Sequence, residues 1–459
     1  MDRTRRTAIA MLCGLGSLGI GYRGRAGGAQ GAFPVQPFRG QILRLTDFGA
    51  KADWNGTRGT DNQAALNTAL ASGAAIAIPP GRFKIGATVK VPPGARIIGQ
   101  GGELVFVEGS LQLDTRCICD GVFISGNGKT NRGNGFSILA GANAVTLIGP
   151  KVRDVHYNAV DNSHGAADLV VINPDFANTG GENINPTYQG CGVYSTNGIR
   201  LRVLGGEMQR SYGQGAVFVN GGKDYEISGV NIHDTYYRGI TTYNNPTGGL
   251  IAHNTIKRTG GLKPRGSSGV GTNGIYLINS TAADCLVIDN EIEDAGENGI
   301  EGNGTILNNK ITRTGYNDLA TPSKEGIYLY SDAIARGNII RDSAGDGIKC
   351  YTNGRTRHIV ATNNVIHTPT ESGISIITDG AATIFGELKI EDNIIYGYNN
   401  AAKAGISITG KNGGRYSEEN SVVRNNRVVG RPNNSVHRAI TAVSGNSFDN
   451  TRQQQKNSN

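Results

Sequence analysis

Apolar and polar residues alternate with a period of two along most of this chain, and the alternation restarts at regular points. A Gly followed by Ile, Val or Ala opens nine such runs, at Gly192, Gly215, Gly239, Gly274, Gly299, Gly326, Gly347, Gly373 and Gly405. A second mark follows most of them, an Asn two residues before an Ile or Val: Asn254, Asn290, Asn309, Asn338, Asn364, Asn393 and Asn426. Units of roughly 20 to 35 residues that carry short strands and Gly/Asn corners are the signature of a solenoid. Helical periodicity is nearly absent after residue 75, so the solenoid is built from parallel β coils.

The residue after each Gly is apolar: Val193, Ala216, Ile240, Ile275, Ile300, Ile327, Ile348, Ile374 and Ile406. That column points inward, and strand alternation sends the next one outward. The outward column reads Tyr194, Val217, Thr241, Tyr276, Glu301, Tyr328, Lys349, Ser375 and Ser407. Four consecutive coils therefore present Tyr276, Glu301, Tyr328 and Lys349. Arg238, Asn298, Glu325 and Asp346 stand at the adjoining corner, just before their glycines, and Tyr243, Tyr330 and Tyr351 lie further along the same strands. A Glu and a Lys within reach on a solenoid are ordinarily a surface ion pair of small value. Acid, base and several tyrosines on one face weigh against that plain reading, because tyrosine rings suit stacking against sugars. The seven Asn residues are a structural ladder, since Asn tolerates αL corners and bonds neighbouring backbone.

One amphipathic helix is expected from Asp61 to Ala71, with Thr60 and Gln63 at capping-box spacing, covering the open first coil. Around it run Asp47-Phe48-Gly49-Ala50-Lys51, Gly59-Thr60-Asp61-Asn62-Gln63-Ala64-Ala65-Leu66 and Ile76-Ala77-Ile78-Pro79-Pro80-Gly81-Arg82-Phe83. This block resembles the N-terminal segment of the pectate lyase superfamily, in the branch of rhamnogalacturonases, uronate epimerases and tailspike-like depolymerases. The resemblance implies an all-β, single-stranded, right-handed parallel β-helix with an N-terminal capping helix. It also implies a polysaccharide partner, without choosing among lyase, hydrolase, epimerase and binder. The Asn-Thr-Asp, Asp-Asp and Gly-His-Gly motifs of polygalacturonase-type hydrolases are missing, as is the Asp-Pro-His of alginate epimerases.

Residues 1–29 read as a twin-arginine-type signal peptide, with Arg5-Arg6 ahead of a mildly apolar, Gly-rich stretch too short to span a membrane. Periplasmic or secreted placement follows as an expectation. Residues 30–125 are expected to hold the cap and first coils, 126–430 the β-helix, and 431–459 an irregular cap and disordered tail. The net charge is +8 with 69 Gly, and the pI is about 9.1. A basic balance suits an acidic polymer, and no Lys/Arg run is long enough to favour nucleic acid. Cys285 and Cys350 fall at inward positions, and Cys117 with Cys119 is too sparse a set for metal.

The expected chemistry is β-elimination on a uronate-containing polysaccharide. Arg238, or Ca²⁺ held by Glu301, Glu325 and Asp346, would neutralise the substrate carboxylate. Lys349, its pKa lowered by partial burial, would be the base, with Tyr276 or Tyr328 as acid and Glu301 beside them. Arg238, Tyr243, Tyr330 and Tyr351 would bind substrate. Hydrolysis by paired carboxylates on the same face, C5 epimerisation and binding without catalysis stand as alternatives. Two weaker clusters are Asp154, His156, Tyr157, Asp161 and His164, and His233, Asp234, Tyr236 and Tyr237.

Overall fold

The computed structural model describes residues 40–181, 189–268, 271–277, 285–316, 320–321, 323–352, 355–379, 383–397, 404–411, 415–416, 421–429, 443–444 and 447–449. The expected signal segment and the polar end from residue 451 lie outside these. The described chain winds into a right-handed β-helix of three parallel sheets, with 17, 15 and 13 strands. The 17-strand sheet runs from Ile42–Arg44 to Val443–Ser444, the 15-strand sheet from Gly81–Ile85 to Ser447–Asp449, and the 13-strand sheet from Val89–Val91 to Ile406–Lys411. Regular coils thus begin near residue 75, and strands persist within 431–459.

The inward column of the 13-strand sheet is one unbroken apolar row. Val89, Leu111, Phe136, Val160, Val193, Val217, Ile240, Ile275, Ile300, Ile327, Ile348, Ile374 and Ile406 stack in register, and all are fully buried. Each is worth roughly 1.5–3 kcal/mol of burial, which fixes the face that its neighbours present to solvent. One expectation fails here by a single residue. Gly215 pairs with Arg238 rather than Gly239, so Val217 points inward and Phe218 takes the outward place between Tyr194 and Thr241. Apolar Ala216 and Val217 in succession left the alternation ambiguous at that coil.

The repeated glycines do not have left-handed backbones. Their reason is close packing: a Cβ on Gly299 would stand 2.5 Å from the Ile311 side chain and 2.6 Å from the Gly326 carbonyl. Left-handed corners fall to other residues, including those just before the Asn ladder, such as His253, Asp289 and Asn308. The ladder Asn residues themselves avoid that region and are buried. The Asn309 Nδ2 donates to Val287 O, Leu307 O and Asn338 Oδ1, and its Oδ1 accepts from the backbone N and Nδ2 of Asn290. The same pattern repeats from Asn254 to Asn426, a hydrogen-bonded spine at the corner between the 17- and 15-strand sheets.

A second corner column, at the ends of the 15-strand sheet, alternates in charge. Asp234, Arg258, Asp294, Arg313 and Asp342 follow one another coil by coil, all with φ between 51° and 57°. Arg258 grips Asp234 with two bonds of 2.6 and 2.7 Å, and Arg313 Nε bonds Asp294 at 2.6 Å. The Arg258 contacts, above all, hold the Asp234 carboxyl down at about 2.

The α-helix spans Gln63–Ala71 and buries Leu66, Ala69 and Leu70 against strands Ala75–Ile78 and Val89–Val91. The expected capping box does not form. Thr60 Oγ1 donates to Asp53 instead, while Asp61 Oδ1 accepts the backbone N–H groups of Gln63 and Gly86. Gln63 turns its side chain to Thr88 O. All five cysteines in the described coils are buried and free. Among the described residues no helix is long and apolar enough to cross a membrane.

Candidate active site

The outer face of the 13-strand sheet carries the expected row. Tyr276 lies opposite Glu301, Glu301 opposite Tyr328, and Tyr328 opposite Lys349. The corner beside it also stacks, because the N–H groups of Gly239, Gly274, Gly299 and Gly326 bond the carbonyls of Asn273, Asn298, Glu325 and Asp346. Two columns of polar and aromatic side chains therefore run side by side along the helix axis.

Glu301 is the centre of the cluster, and only 7% of its surface is exposed. One carboxylate oxygen accepts from Asn273 Nδ2 at 2.8 Å and Asn298 Nδ2 at 2.7 Å, and the other accepts from the Tyr330 hydroxyl. Three of its roughly four lone-pair sites are occupied by neutral donors, which leaves one for a ligand. Burial, with Glu301 next, pushes the phenols of Tyr276 and Tyr330 up. Tyr328 packs edge-on to Tyr330 with ring centroids 5.2 Å apart.

Arg238 stacks on Tyr276, with the guanidinium carbon 3.9 Å from the ring centroid. Its Nε is buried without a hydrogen-bond partner, and burial lowers its pKa in spite of Tyr276, Glu297 and Glu301 nearby. A guanidinium with unused donors beside carboxylates that do not ion-pair with it is poised for a ligand acceptor. Glu297 completes this end. Its Oε2 accepts the N–H groups of Gly271 at 2.9 Å and Thr272 at 3.3 Å, while burial and then Glu301 raise its pKa.

Lys349 departs from expectation. Its Nζ bonds Glu325 Oε1 at 2.7 Å, and Ser323 takes the other oxygen of that carboxylate. Burial acts to lower the Lys349 pKa, but Glu325, with Asp346 and Glu371 behind it, outweighs burial and holds it above the ordinary value. The lowered pKa expected of this lysine is therefore reversed by its carboxylate partner. Asp346 accepts the Ser372 N–H at 2.8 Å, and burial pushes its carboxyl up to about 6.

The carboxylates expected to hold calcium have partners within the chain. Glu301 and Glu325 spend their oxygens on amides, hydroxyls and Lys349, and no group of three or more His, Cys, Asp or Glu gathers around a common point among the described residues. The tyrosines expected to bind substrate divide. Tyr330 joins Glu301, Tyr351 donates to Asp379 further along the helix, and Tyr243 stands 38% exposed at the far end of its strand.

Three participants escaped the sequence reading. Asn273 precedes Gly274 just as Asn298 precedes Gly299, so the same corner rule applies to it. Glu297 sits one residue before that corner, where no periodicity marks it. Lys263 comes from the loop between strands Thr255–Thr259 and Ile275–Leu277, and its Nζ lies 4.4 Å from the Tyr237 ring.

A family model described as a right-handed β-helix region matches residues 267–452. No curated protein matches the sequence. Among solved structures, the chain is similar to a mannuronan C-5 epimerase A-module of Azotobacter vinelandii, at 15% identity and TM-score 0.37 over 89% of this chain and 99% of that one. It is also similar to a surface protein and adhesin of Streptococcus pneumoniae, at 12% identity and TM-score 0.40 over 89% and 97%. A third is the tailspike protein of an E. coli bacteriophage, at 11% identity and TM-score 0.44 over 88% and 78%. The family model and the three stacked parallel sheets make this chain a right-handed parallel β-helix protein, the fold that its resemblance to the pectate lyase superfamily implied.

Proposed function

We propose that this chain acts on an acidic polysaccharide at the Arg238–Glu301 cluster, and that glycosidic hydrolysis is the reaction its geometry supports best. The observation that carries this reading is the unlike pair of carboxyl groups. Glu297 is pushed toward its neutral form by burial and by Glu301, whereas Glu301 is fixed by three neutral donors. A carboxyl group pushed toward its neutral form beside a second carboxyl suits a division of acid and base roles between the two. Glu297 then gives its proton to the departing glycosidic oxygen, and Glu301 attacks the anomeric carbon or takes a proton from water. Arg238 on Tyr276 receives a sugar carboxylate, with the tyrosine rings as stacking surface.

β-Elimination is the second reading, and the unbonded Nε of Arg238 favours it, because that reaction needs the substrate carboxylate neutralised. Lys349 is engaged by Glu325, so in this reading the proton passes to Glu301. The test is a screen of the purified chain on acidic and neutral polysaccharides, reading both new reducing ends and ultraviolet absorbance of unsaturated products. Reducing ends without absorbance support hydrolysis, absorbance supports elimination, and binding with neither product makes the chain a binder. Export through the Arg5-Arg6 segment would deliver the protein to such polymers outside the cytoplasm.

A further inference from the structure

The same sheet continues several coils nearer the N-terminal end. A cavity of about 310 Å³ opens there, lined by Gln112, Asn134, Tyr157, Asp161 and His164, with Arg132 exposed at its rim. Register places it in the row already described. Ser137, Asp161, Tyr194, Phe218, Thr241, Tyr276 and Glu301 lie opposite one another in turn. Asp161 is therefore five coils from Glu301, roughly 24 Å along the axis at about 4.8 Å per coil.

The cavity walls are hydrogen-bonded into position before any ligand arrives. Asn134 Oδ1 accepts the Asn158 N–H at 2.9 Å and its Nδ2 donates to Ser137, which bonds Ser110 at 3.0 Å. Asp161 accepts from Asn158 Nδ2 at 3.0 Å and Ser163 at 2.9 Å, and burial raises its pKa. Amide, hydroxyl and carboxyl groups around one aromatic ring make a lining that matches sugar hydroxyls and a sugar ring face. Arg132 forms no ion pair among the described residues and adds a cation at the entrance.

Aromatic side chains stand in coils between this cavity and the Arg238–Glu301 cluster. Tyr212 and Tyr236 stand in successive coils with rings stacked at 5.4 Å, Tyr237 follows edge-on at 5.0 Å, and Arg238 is the next residue. We propose that this cavity is a second glycan-binding site, which holds a sugar unit of the same polymer several units away from the one at Glu301. The proposal rests on the reading of the Arg238–Glu301 cluster as a glycan site.

Size-defined oligogalacturonides and oligoalginates, from disaccharide to dodecasaccharide, test it by calorimetric titration of the full chain carrying Glu297→Gln to halt turnover. Affinity should rise about 10²-fold or more once the oligomer is long enough to reach both sites, the gain expected of a tethered second contact. Arg132→Ala and Tyr157→Ala should each return the long oligomers to short-oligomer affinity while the short ones bind as before. Length-independent binding, or a gain that survives both substitutions, overturns the second site and leaves the central reading standing. Failure of every oligomer at every length overturns the central reading and this site with it.

Discussion

Replacing Asn309 by alanine tests whether the buried ladder holds the coils together. Asn309 Nδ2 gives up three acceptors, and the Asn290 backbone N–H loses the acceptor it reaches at 2.9 Å. Some partners are spared, since Leu307 O keeps the Asp289 N–H and Asn290 Nδ2 keeps Ile251 O and Ile288 O. An orphaned buried donor costs about 1–3 kcal/mol and each lost bond about 0.5–1.5, so a total near 3–5 kcal/mol is expected. That exceeds the usual 0.5–3 kcal/mol of a point substitution, whereas Lys90→Ala, on the exposed side of its strand, should stay within about 0.5. The assay is denaturant unfolding followed by far-ultraviolet circular dichroism and by fluorescence of Trp54, the single tryptophan. Coincident transitions would license a two-state value, which repeat arrays do not always allow. A loss below about 1 kcal/mol would refute the ladder's energetic role and leave it a mere geometric regularity.

Glu297→Gln should cut turnover about 10²–10⁴-fold on any polysaccharide the parent cleaves, measured as initial rate, and full activity would remove Glu297 from the acid role. Arg238→Met should weaken binding of an acidic oligosaccharide by about 1.5–3 kcal/mol and leave a neutral one unchanged in titration, and equal loss on both would deny it a carboxylate-binding part. The Asp346 carboxyl takes up protons more readily folded than unfolded, so its contribution to stability falls as pH rises from 3.8 toward about 6. At roughly 1.36 kcal/mol per unit the loss approaches about 3 kcal/mol; Asp346→Asn should flatten that slope in unfolding midpoints taken across this range, and an unchanged slope would assign it to other groups. Arg5→Lys with Arg6→Lys should trap the precursor in the cytoplasm, and undiminished export in cell fractionation would contradict the twin-arginine reading.

The coils were legible because one physical rule governs them. Each inward Ile or Val has nowhere else to go, so Ile275, Ile300, Ile327 and Ile348 announce their strands and fix Tyr276, Glu301, Tyr328 and Lys349 on the outside. The rule broke only at Gly215, where two apolar residues in succession gave the alternation two phases. Side-chain chemistry was less legible, because it depends on partners that periodicity does not specify. Lys349 was expected to lose its proton through burial, yet a Glu325 oxygen 2.7 Å away reverses the balance. Glu297 lay in no repeated column, and the role proposed for it rests on enclosure by Gly271, Thr272 and Arg238 in three dimensions.

The alternating corner of Asp234, Arg258, Asp294, Arg313 and Asp342 bears on how such a chain finds its winding. Neighbouring coils are alike enough that a growing helix could skip one and still bury Ile on Ile. Skipping one coil would set Asp234 beside Asp294, or Arg258 beside Arg313. Like charges at one coil spacing repel by about 1–4 kcal/mol, depending on how much water screens them, and the native attraction is lost as well. Skipping two would put Asp234 beside Arg313 and restore attraction. The column thus works as a parity check on assembly, sensitive to one missing turn and blind to a missing pair.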